Sequence, residues 1–447
     1  MQKFISKYAL AAHLALAAVA PLPLMRFFEV AEAATAMLWL TAFALVWMLL
    51  SPSVFSGERV SEARRRLLRS MFYDPLFWVM ALVVLLAGVR ALNGGVKMAY
   101  DAEAMVWSIA SATFPLLPGT VDGCGYLPFA TSLLAAVLMI GCRHALGKAA
   151  RTAFCFTASA LAGIFALAEL AFGIDGAPPA AFAYGIYLMA GTVALAGAFE
   201  FRWNRIMLLF VFSIGATAAG LFAFSTPLAV VSFFGAELLV VGYVFFYTHA
   251  TLRKAADFKL LVVFALSVAV GVFAALSFIP EAELNSKVAA ILEWKLFSDD
   301  FFELRGVLSD IAFRSWKVHP WLGSGLASFP LDVRFFATND DWLLLVSERA
   351  EAFNGYWHLI AERGIIGSAL LALPLVLVLA HFFIAMVRGI MAFRLPHPSA
   401  LIGILALAAV VADAFFGVSF LRPETMAAVA FSLAVSTKSF PKERLDG

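Results

Sequence analysis

Residues 206–247 read IMLLFVFSIGATAAGLFAFSTPLAVVSFFGAELLVVGYVFFY. The only charged residue in this stretch is Glu237, and the Ser-Thr-Pro sequence at 225–227 divides it into two apolar runs. A helix needs roughly 20 apolar residues to cross the hydrocarbon core of a bilayer, and each run approaches that length. The stretch therefore predicts two consecutive transmembrane helices joined by a short turn.

The rest of the chain has the same apolar character. Hydrophobic residues make up 63% of the 447 residues, charged residues make up 14%, and the mean hydropathy is +0.91. Soluble domains usually contain about 25% charged residues, so the composition indicates that the surrounding solvent is lipid. The net charge of +2 argues against a nucleic-acid partner.

Apolar runs of membrane-spanning length recur along the whole chain. They lie at residues 7–25, 31–50, 72–91, 126–141, 152–173, 180–199, 206–224, 228–247, 260–280, 365–387, 400–417 and 424–437. A second apolar run follows the first at once, which predicts a first span and not a cleaved signal peptide. The pattern predicts an all-α polytopic membrane protein of about 12 transmembrane helices.

The domain organisation follows from the one long polar segment that separates the apolar runs. Residues 1–279 are predicted to form transmembrane helices 1–9, and residues 280–364 a large periplasmic loop between spans 9 and 10. Residues 365–447 are predicted to form transmembrane helices 10–12 and a cytoplasmic tail. A shorter outward segment, residues 93–126, is predicted to contain an interfacial helix. A long polar segment inside so apolar a chain indicates where chemistry takes place.

The orientation of the spans is predicted from the distribution of lysine and arginine. Five arginines lie in residues 51–69, whereas the connector on the opposite side at 173–179, GIDGAPP, contains no basic residue. Loops that carry an excess of Lys and Arg are usually cytoplasmic. Both termini are therefore predicted to be cytoplasmic.

Two stretches of the large loop carry motifs. Residues 305–329 read RGVLSDIAFRSWKVHPWLGSGLASF, where helical spacing predicts a helix that ends before Pro320 and a glycine-rich turn that follows it. Residues 353–367 read FNGYWHLIAERGIIG and run directly into the tenth span. Gly364 and Gly367 would permit close backbone approach where the loop meets the membrane helix.

These stretches resemble the O-antigen ligase and polymerase superfamily of bacterial membrane glycosyltransferases. The loop of that family begins with an arginine, reaches an HPxxGxG turn and ends with an HN pair placed before E-x-G-x-x-G. Here Arg305 precedes the turn HPWLGSG at 319–325, and Asn354 precedes Gly364. The last outer loop, residues 420–423, reads FLRP and resembles the RxP ending of the family.

The resemblance implies a reaction and its partners. It implies transfer of a glycan from undecaprenyl diphosphate to a sugar or lipid A–core hydroxyl, in the bacterial inner membrane, during assembly of O-antigen, capsule or exopolysaccharide. The partners would be the lipid-linked glycan, the polysaccharide or lipid A–core acceptor and the bilayer. No cofactor and no metal is expected, and the choice between ligase, polymerase and exopolysaccharide enzyme stays open.

The leaving diphosphate of such a reaction requires cations. Arginine suits this task because its planar fork binds phosphate oxygens through two donors. Arg305 is the first candidate, with Arg314 and Arg422 as assisting candidates. The alternatives are that Arg305 pairs with Glu303 or Asp310 at the start of a helix, that Arg314 is a solvated charge, and that Arg422 snorkels to the membrane interface.

The family's catalytic base is missing at its expected place. Phe353 stands where the family has its motif histidine, so His358, Glu362 and His319 are the remaining candidates for a base. The alternatives are an interfacial role for His358, a structural hydrogen bond for His319, and helix capping or an ion pair with the neighbouring arginine for Glu362. Asn354 is expected to orient the acceptor hydroxyl or to cap the following helix.

Two other classes of function compete with the enzyme. The connector at 225–227 also lacks the arginine that the family places at the outer edge of its eighth span, which favours a relative that binds lipid-linked glycan without catalysis. A transporter or flippase would need broken helices in matching halves of the chain and paired charges at mid-membrane. The ionisable residues inside the predicted spans are instead predicted to make polar contacts within the bundle. They are Glu169, Glu237, His381 and Asp413.

Overall fold

The computed structural model describes residues 2–50, 60–101, 106–110, 119–121, 126–172, 178–200, 206–224, 226–252, 258–279, 281–293, 301–337, 351–391, 397–418 and 421–436. Most of these residues are helical. The helices are α1 (Gln2–Val19), α2 (Pro21–Phe27), α3 (Val30–Leu50), α4 (Val60–Phe72), α5 (Pro75–Leu92), α6 (Tyr126–Ile140), α7 (Lys148–Phe172), α8 (Pro178–Glu200), α9 (Met207–Phe224), α10 (Pro227–Leu252), α11 (Phe258–Phe278), α12 (Glu281–Leu292), α13 (Phe301–Val318), α14 (Phe329–Phe336), α15 (Gly355–Met391), α16 (Ser399–Asp413) and α17 (Pro423–Ser436). The cytoplasmic tail predicted after the last span lies outside the described residues.

Within these ranges, nine segments are long and apolar enough to cross a membrane. They are Tyr8–Phe27, Val30–Leu49, Pro75–Leu92, Tyr126–Ala145, Lys148–Phe172, Ala181–Ala198, Met207–Phe224, Leu228–His249 and Gly355–Arg388. Each overlaps one of the predicted spans. The predicted runs at 260–280 and 400–417 correspond to shorter apolar helical stretches, Val262–Phe278 and Ser399–Asp413, and the run at 424–437 corresponds to α17.

The transmembrane helices pack through small residues. Helix α7 packs against α1, α8 and α9, and α9 packs against α11 on its other side. A Cβ atom added at Gly271 of α11 would lie 2.1 Å from the carbonyl oxygen of Gly215 on α9, so the two backbones are in direct contact there. Lipid supplies no hydrophobic driving force between helices, and close contact through small residues stabilises their association instead.

Glu169 and Glu237 make polar contacts inside the bundle, as predicted. Glu169 is fully buried, where it accepts hydrogen bonds from Arg26 Nε at 3.2 Å and from the Tyr184 hydroxyl at 2.6 Å. Glu237 is also buried and accepts a hydrogen bond from a threonine on α8. His381 lies on the exposed side of α15, and Asp413 is half-buried at the end of α16.

An interfacial helix was predicted within residues 93–126, but the described residues 94–101, 106–110 and 120–121 form strands. The structure has a three-stranded sheet there, in which β1 (Gly94–Asp101) pairs antiparallel with β2 (Val106–Ala110) and parallel with β3 (Thr120–Val121). Along β1, Val96, Met98 and Tyr100 alternate with other residues at a period of two, which is the pattern of a strand. This sheet is the one departure from an all-helical fold in the described part of the chain.

The late polar segment folds into a unit that we call the cap, defined as residues 301–337 and 351–363. Leu308, Ile311, Phe329 and Ala361 belong to an apolar core of its own, separate from the main core of the bundle. The helix predicted from Arg305 onward is α13. It begins earlier than predicted, at Phe301, and ends at Val318, before the His-Pro pair as expected. Helix α15 begins at Gly355, inside the segment that was predicted to be loop.

The cap meets the transmembrane bundle at a break in α15. Gly364 has φ +64° and ψ −177°, which interrupts the helical hydrogen bonding. Four backbone hydrogen bonds of 2.8–3.1 Å join the broken helix to the turn at 320–325. They are Ser324 N to Ala361 O, Gly325 N to Glu362 O, Ile365 N to Pro320 O and Ile366 N to Trp321 O. We call this arrangement the junction, residues 320–326 with 361–367.

Two glycines allow the backbones to approach at the junction. A Cβ atom at Gly364 would lie 2.4 Å from the carbonyl carbon of Trp321, and one at Gly323 would lie 2.4 Å from that of Glu362. Both glycines also have positive φ, +74° at Gly323 and +64° at Gly364, which side-chain-bearing residues rarely adopt. The HPWLGSG and ERGIIG motifs are therefore two halves of one contact.

Gly364→Ala is expected to destabilise the protein. A positive φ combined with ψ near 180° is essentially restricted to glycine and costs a residue with a Cβ atom about 1–3 kcal/mol, and displacement of the Trp321 backbone adds to that cost. The measurement is the midpoint of thermal unfolding of the purified protein in detergent. Gly306→Ala is the matched control: a Cβ atom at this exposed helical position meets nothing within 4 Å, so its midpoint should be unchanged or slightly higher. Equal midpoints for Gly364→Ala and the parent chain would contradict this account of the junction.

Candidate functional site

Arg305 lies in the second turn of α13, on the side that faces the start of α15. Its Nε atom donates a hydrogen bond to the carbonyl oxygen of Phe353 at 3.1 Å. Its guanidinium carbon lies 5.7 Å from the centre of the Phe416 ring. The Nη groups of Arg305 make no hydrogen bond to any residue that the structure describes. The predicted alternative, pairing with Asp310, does not occur, because Asp310 pairs with Arg314.

The other two predicted cations occupy different positions. Arg422 pairs with Glu351, so Arg422 and Arg305 both contact the short segment 351–353. Arg314 is exposed and forms its ion pair with Asp310 one helical turn earlier on α13. Exposed pairs of this kind typically contribute less than about 1 kcal/mol. The structure thus brings Arg305 and Arg422 to the same segment. Arg314 is a solvated surface charge, which was the predicted alternative to a role in phosphate binding.

His358 and Glu362 form a buried pair inside the cap. His358 Nε2 lies 3.3 Å from Glu362 Oε1, and His358 Nδ1 accepts a long hydrogen bond from the Ala352 amide at 3.5 Å. Glu362 Oε1 also accepts a hydrogen bond from the Phe329 amide at 3.4 Å. Both ring nitrogens of His358 are therefore engaged. Arg305 and His358 contact adjacent residues, Arg305 through the Phe353 carbonyl and His358 through the Ala352 amide.

Asn354 and His319 both take part in hydrogen bonds that hold the local backbone. The Asn354 side-chain oxygen accepts hydrogen bonds from the amides of Tyr356 at 3.2 Å and Trp357 at 3.3 Å, so this residue caps α15. His319 is exposed at the end of α13, where its backbone carbonyl accepts from the Gly323 amide at 2.9 Å. The turn is thus held by the backbone of His319, and its imidazole makes no hydrogen bond to the described residues.

Phe353 has a strained backbone. Its φ is +44°, in the left-handed region that non-glycine residues rarely adopt. Such a conformation costs of order 1–3 kcal/mol and persists only where surrounding contacts hold it. The hydrogen bond from Arg305 to the Phe353 carbonyl is one such contact. The strained residue is the one that replaces the histidine of the resembled family.

Asp332 is a buried acid that the sequence reading missed. Its Oδ2 atom accepts hydrogen bonds from the hydroxyls of Ser324 at 2.7 Å and Ser328 at 3.4 Å, whereas Oδ1 is buried without a hydrogen-bond partner among the described residues. Burial raises the pKa of Asp332 to about 7. Ser324 also donates to the Ala361 carbonyl at 3.2 Å, so this group of polar side chains lies directly behind the junction.

Arg90 is a second residue that the sequence reading missed. It lies near the end of α5 and is 3% exposed. Its Nη2 atom donates to the carbonyls of Leu322 at 2.7 Å and Arg363 at 3.1 Å, and its Nη1 atom to that of Glu362 at 3.5 Å. These partners lie 232 to 273 residues away in sequence, so no local pattern points to them. Arg90 therefore ties both halves of the junction to the transmembrane bundle.

The fold defines the class of the protein, a multi-pass membrane protein built of apolar helices with a folded polar cap. In comparisons with protein-family models and with curated proteins, the chain matches none. The resemblance to the O-antigen ligase and polymerase superfamily therefore rests on the order and spacing of the loop motifs.

The raised pKa of Asp332 predicts a pH dependence of stability. The folded state holds a proton on this carboxyl up to a pH of about 7, whereas the unfolded state releases it near the ordinary aspartate pKa of 3.8. The unfolded state therefore binds fewer protons between these values, and the free energy of unfolding falls as pH rises through this window, by on the order of 3 kcal/mol from pH 5 to pH 8.

Asp332→Asn should remove this part of the pH dependence, because the amide does not titrate. The measurement is the thermal unfolding midpoint of each protein at pH 5 and at pH 8. The matched control is Asp310→Asn, which changes an exposed aspartate on α13 and should leave the pH dependence of the parent chain unaltered. An Asp332→Asn variant with the same pH dependence as the parent chain would contradict the assignment.

Proposed function

We propose that the protein is a membrane glycosyltransferase of the O-antigen ligase and polymerase type. It transfers a glycan from undecaprenyl diphosphate to a sugar or lipid A–core hydroxyl during assembly of a surface polysaccharide. The acceptor decides between ligase, polymerase and exopolysaccharide enzyme, and each of these reactions makes the same demand on the donor side. The group that leaves is a lipid diphosphate, whose charge must be stabilised.

The observation that carries the proposal is the position of Arg305. Its guanidinium group is half-buried at the segment that joins the cap to α15, its Nε atom is fixed on the Phe353 carbonyl, and its Nη groups have no partner in the described ranges. A guanidinium held through one nitrogen keeps the others available for phosphate oxygens. Arg422 contacts the same segment through Glu351 and would add a second cation when a diphosphate competes for it.

The proposed topology places this site at the outer leaflet. It comprises twelve spans, cytoplasmic termini and a periplasmic cap in the bacterial inner membrane, and it is supported by the concentration of arginine in residues 51–69. In that orientation α5 begins at the cytoplasmic face and ends beneath the cap. A lipid-linked donor would approach Arg305 from the outer leaflet with its chain in the bilayer.

The role of the Arg305 charge is tested in the source bacterium by replacing the parent protein with the Arg305→Gln variant. The variant should reduce surface glycan about 10²-fold, as loss of one group that stabilises transition-state charge does in other enzymes. Lipid-linked precursor should accumulate at the same time. Surface glycan is measured by gel electrophoresis of extracted polysaccharide, and precursor by mass spectrometry of the lipid extract.

Arg334→Gln is the control for that experiment. Arg334 is an exposed arginine of the cap on α14, so its loss removes the same charge from the same unit without touching the segment 351–353. Glycan and precursor should stay at parental levels in this variant. Parental glycan in Arg305→Gln cells with normal amounts of the protein would rule out the transferase.

A second candidate function is binding of lipid-linked glycan without catalysis. The observation that favours it is that both ring nitrogens of His358 and the side-chain oxygen of Asn354 are already engaged, so neither residue offers an open base to an acceptor hydroxyl. The two candidates differ in the product. In liposomes that contain the purified chain, lipid-linked glycan and acceptor, a transferase releases undecaprenyl diphosphate, and a binding protein leaves the donor intact.

A further inference from the structure

A narrow crevice separates α5 and α15 on the bundle surface, at the end of α5 next to the cap. Its walls are apolar and include Val83 and Leu86 from α5 and Leu370 from α15. Arg90 and Arg363 line the same crevice. The helix faces beside it carry exposed apolar side chains, so the crevice lies on the surface that the proposed topology exposes to lipid. These side chains include Leu85 at 62% and Ile366 at 44% exposure.

Gly367 creates the space in which the two arginines meet. A Cβ atom at this position would lie 2.9 Å from Arg363 Cβ and 3.4 Å from Arg90 Nη2. The second glycine of the ERGIIG motif therefore serves a different purpose from the first. Gly364 allows the turn of the cap to approach, and Gly367 leaves room for the Arg90 guanidinium group and the base of the Arg363 side chain.

Both arginines carry N–H hydrogen-bond donors that have no acceptor among the described residues. Arg90 Nε is buried without a hydrogen-bond partner, and the Arg363 side chain makes no hydrogen bond or ion pair within the described ranges. Buried donors are almost always satisfied in native proteins by protein, water or ligand. Arg90 is 3% exposed and lines the crevice, so a ligand that enters the crevice is the candidate partner for its Nε atom.

The charges are also unbalanced. The two guanidinium groups repel one another, and Glu362 is the one carboxylate among the described residues whose charge acts on either. Glu362 is already paired with His358 at 3.3 Å. The crevice thus has an excess of positive charge beside an apolar surface. Charge of one sign in a poorly solvated place is unfavourable, and a further anion nearby would stabilise it.

We infer that this crevice between α5 and α15 binds the phosphate group of a membrane lipid, with Arg363 and Arg90 as the phosphate-binding residues. A free anion would satisfy the charges alone, whereas a lipid also covers the apolar walls with its hydrocarbon chain. Arginine forms charge-assisted, often bidentate hydrogen bonds to phosphate oxygens. The inference does not involve Arg305, and it stands whether or not the chain transfers a glycan.

Two sources of the phosphate fit this chemistry, a phosphodiester of a bulk phospholipid and the diphosphate of an isoprenoid carrier. The experiment uses the full chain purified in maltoside detergent and delipidated, to which lipids are added singly. The probes are dioleoyl phosphatidylglycerol, undecaprenyl diphosphate, and dioleoylglycerol as the lipid without phosphate. Bound lipid is counted by native mass spectrometry over a range of lipid concentrations.

The parent chain should retain one molecule of a phosphate-bearing lipid with an affinity at least about tenfold above that for dioleoylglycerol, as expected when a charge-assisted hydrogen bond forms. Arg363→Gln should weaken this binding about tenfold. Arg363→Lys should bind with intermediate affinity, because it keeps the charge and loses the fork. Tighter binding of undecaprenyl diphosphate than of phosphatidylglycerol would identify the carrier as the ligand, and the reverse would identify the bulk lipid.

Arg334→Gln is the control, since it removes an exposed arginine of the cap away from the crevice. Its lipid binding should equal that of the parent chain. The Arg363 side chain makes no hydrogen bond or ion pair among the described residues, and its backbone carbonyl is unchanged by substitution, so Arg363→Gln should keep the parental unfolding midpoint. Undiminished phospholipid binding in Arg363→Gln, or an equal loss in Arg334→Gln, would overturn the inference. Equal retention of dioleoylglycerol and phosphatidylglycerol by the parent chain would do the same.

Discussion

The break of α15 at Gly364 is the constraint on which the other features depend. A broken helix leaves backbone carbonyls and amides without their usual partners, and next to the hydrocarbon of a bilayer no water replaces them. Here the turn at 320–325 donates to the carbonyls before the break and accepts from the amides after it. Arg90 supplies further donors from α5 to the carbonyls of Leu322 and Arg363. The groups that the break exposes are therefore the groups that hold the cap on the bundle.

The cap is anchored at a second place, and the two anchors set the position of the candidate site. The Gly355 amide donates to the Ala414 carbonyl at the end of α16 at 2.7 Å, and the Tyr356 hydroxyl donates to the Val411 carbonyl at 2.9 Å. The segment 351–354 lies between this anchor and α13. Arg305 therefore contacts a short segment that is held by α13 on one side and by the anchor at α16 on the other, which is the kind of support that a phosphate-binding group requires.

Local sequence patterns predicted some elements of the structure and missed others. Helix α13 and its end before Pro320 were predictable because helical spacing and the His-Pro pair act locally. The sheet at 94–121 was not, because short strands depend on partners such as the junction, where the Leu326 amide donates to the Gly119 carbonyl at 3.1 Å. Arg305 was identified from a motif, whereas Asp332 has no motif, and its raised pKa comes from burial by residues distant in sequence.

By itself, the sequence determined that this is a multi-pass membrane protein and which polar segment carries its motifs. Composition and apolar length decide both, since a helix in lipid satisfies its own backbone and needs no distant partner. Only the tertiary structure decided which polar groups meet. It enclosed His358 with Glu362, made Asn354 a helix cap, and set Arg90 and Arg363 side by side. Arg90 and Arg363 are far apart in the chain. The His358–Glu362 pair is packed against Phe329, which no local pattern links to it. The energies of these contacts depend on burial that the sequence does not show.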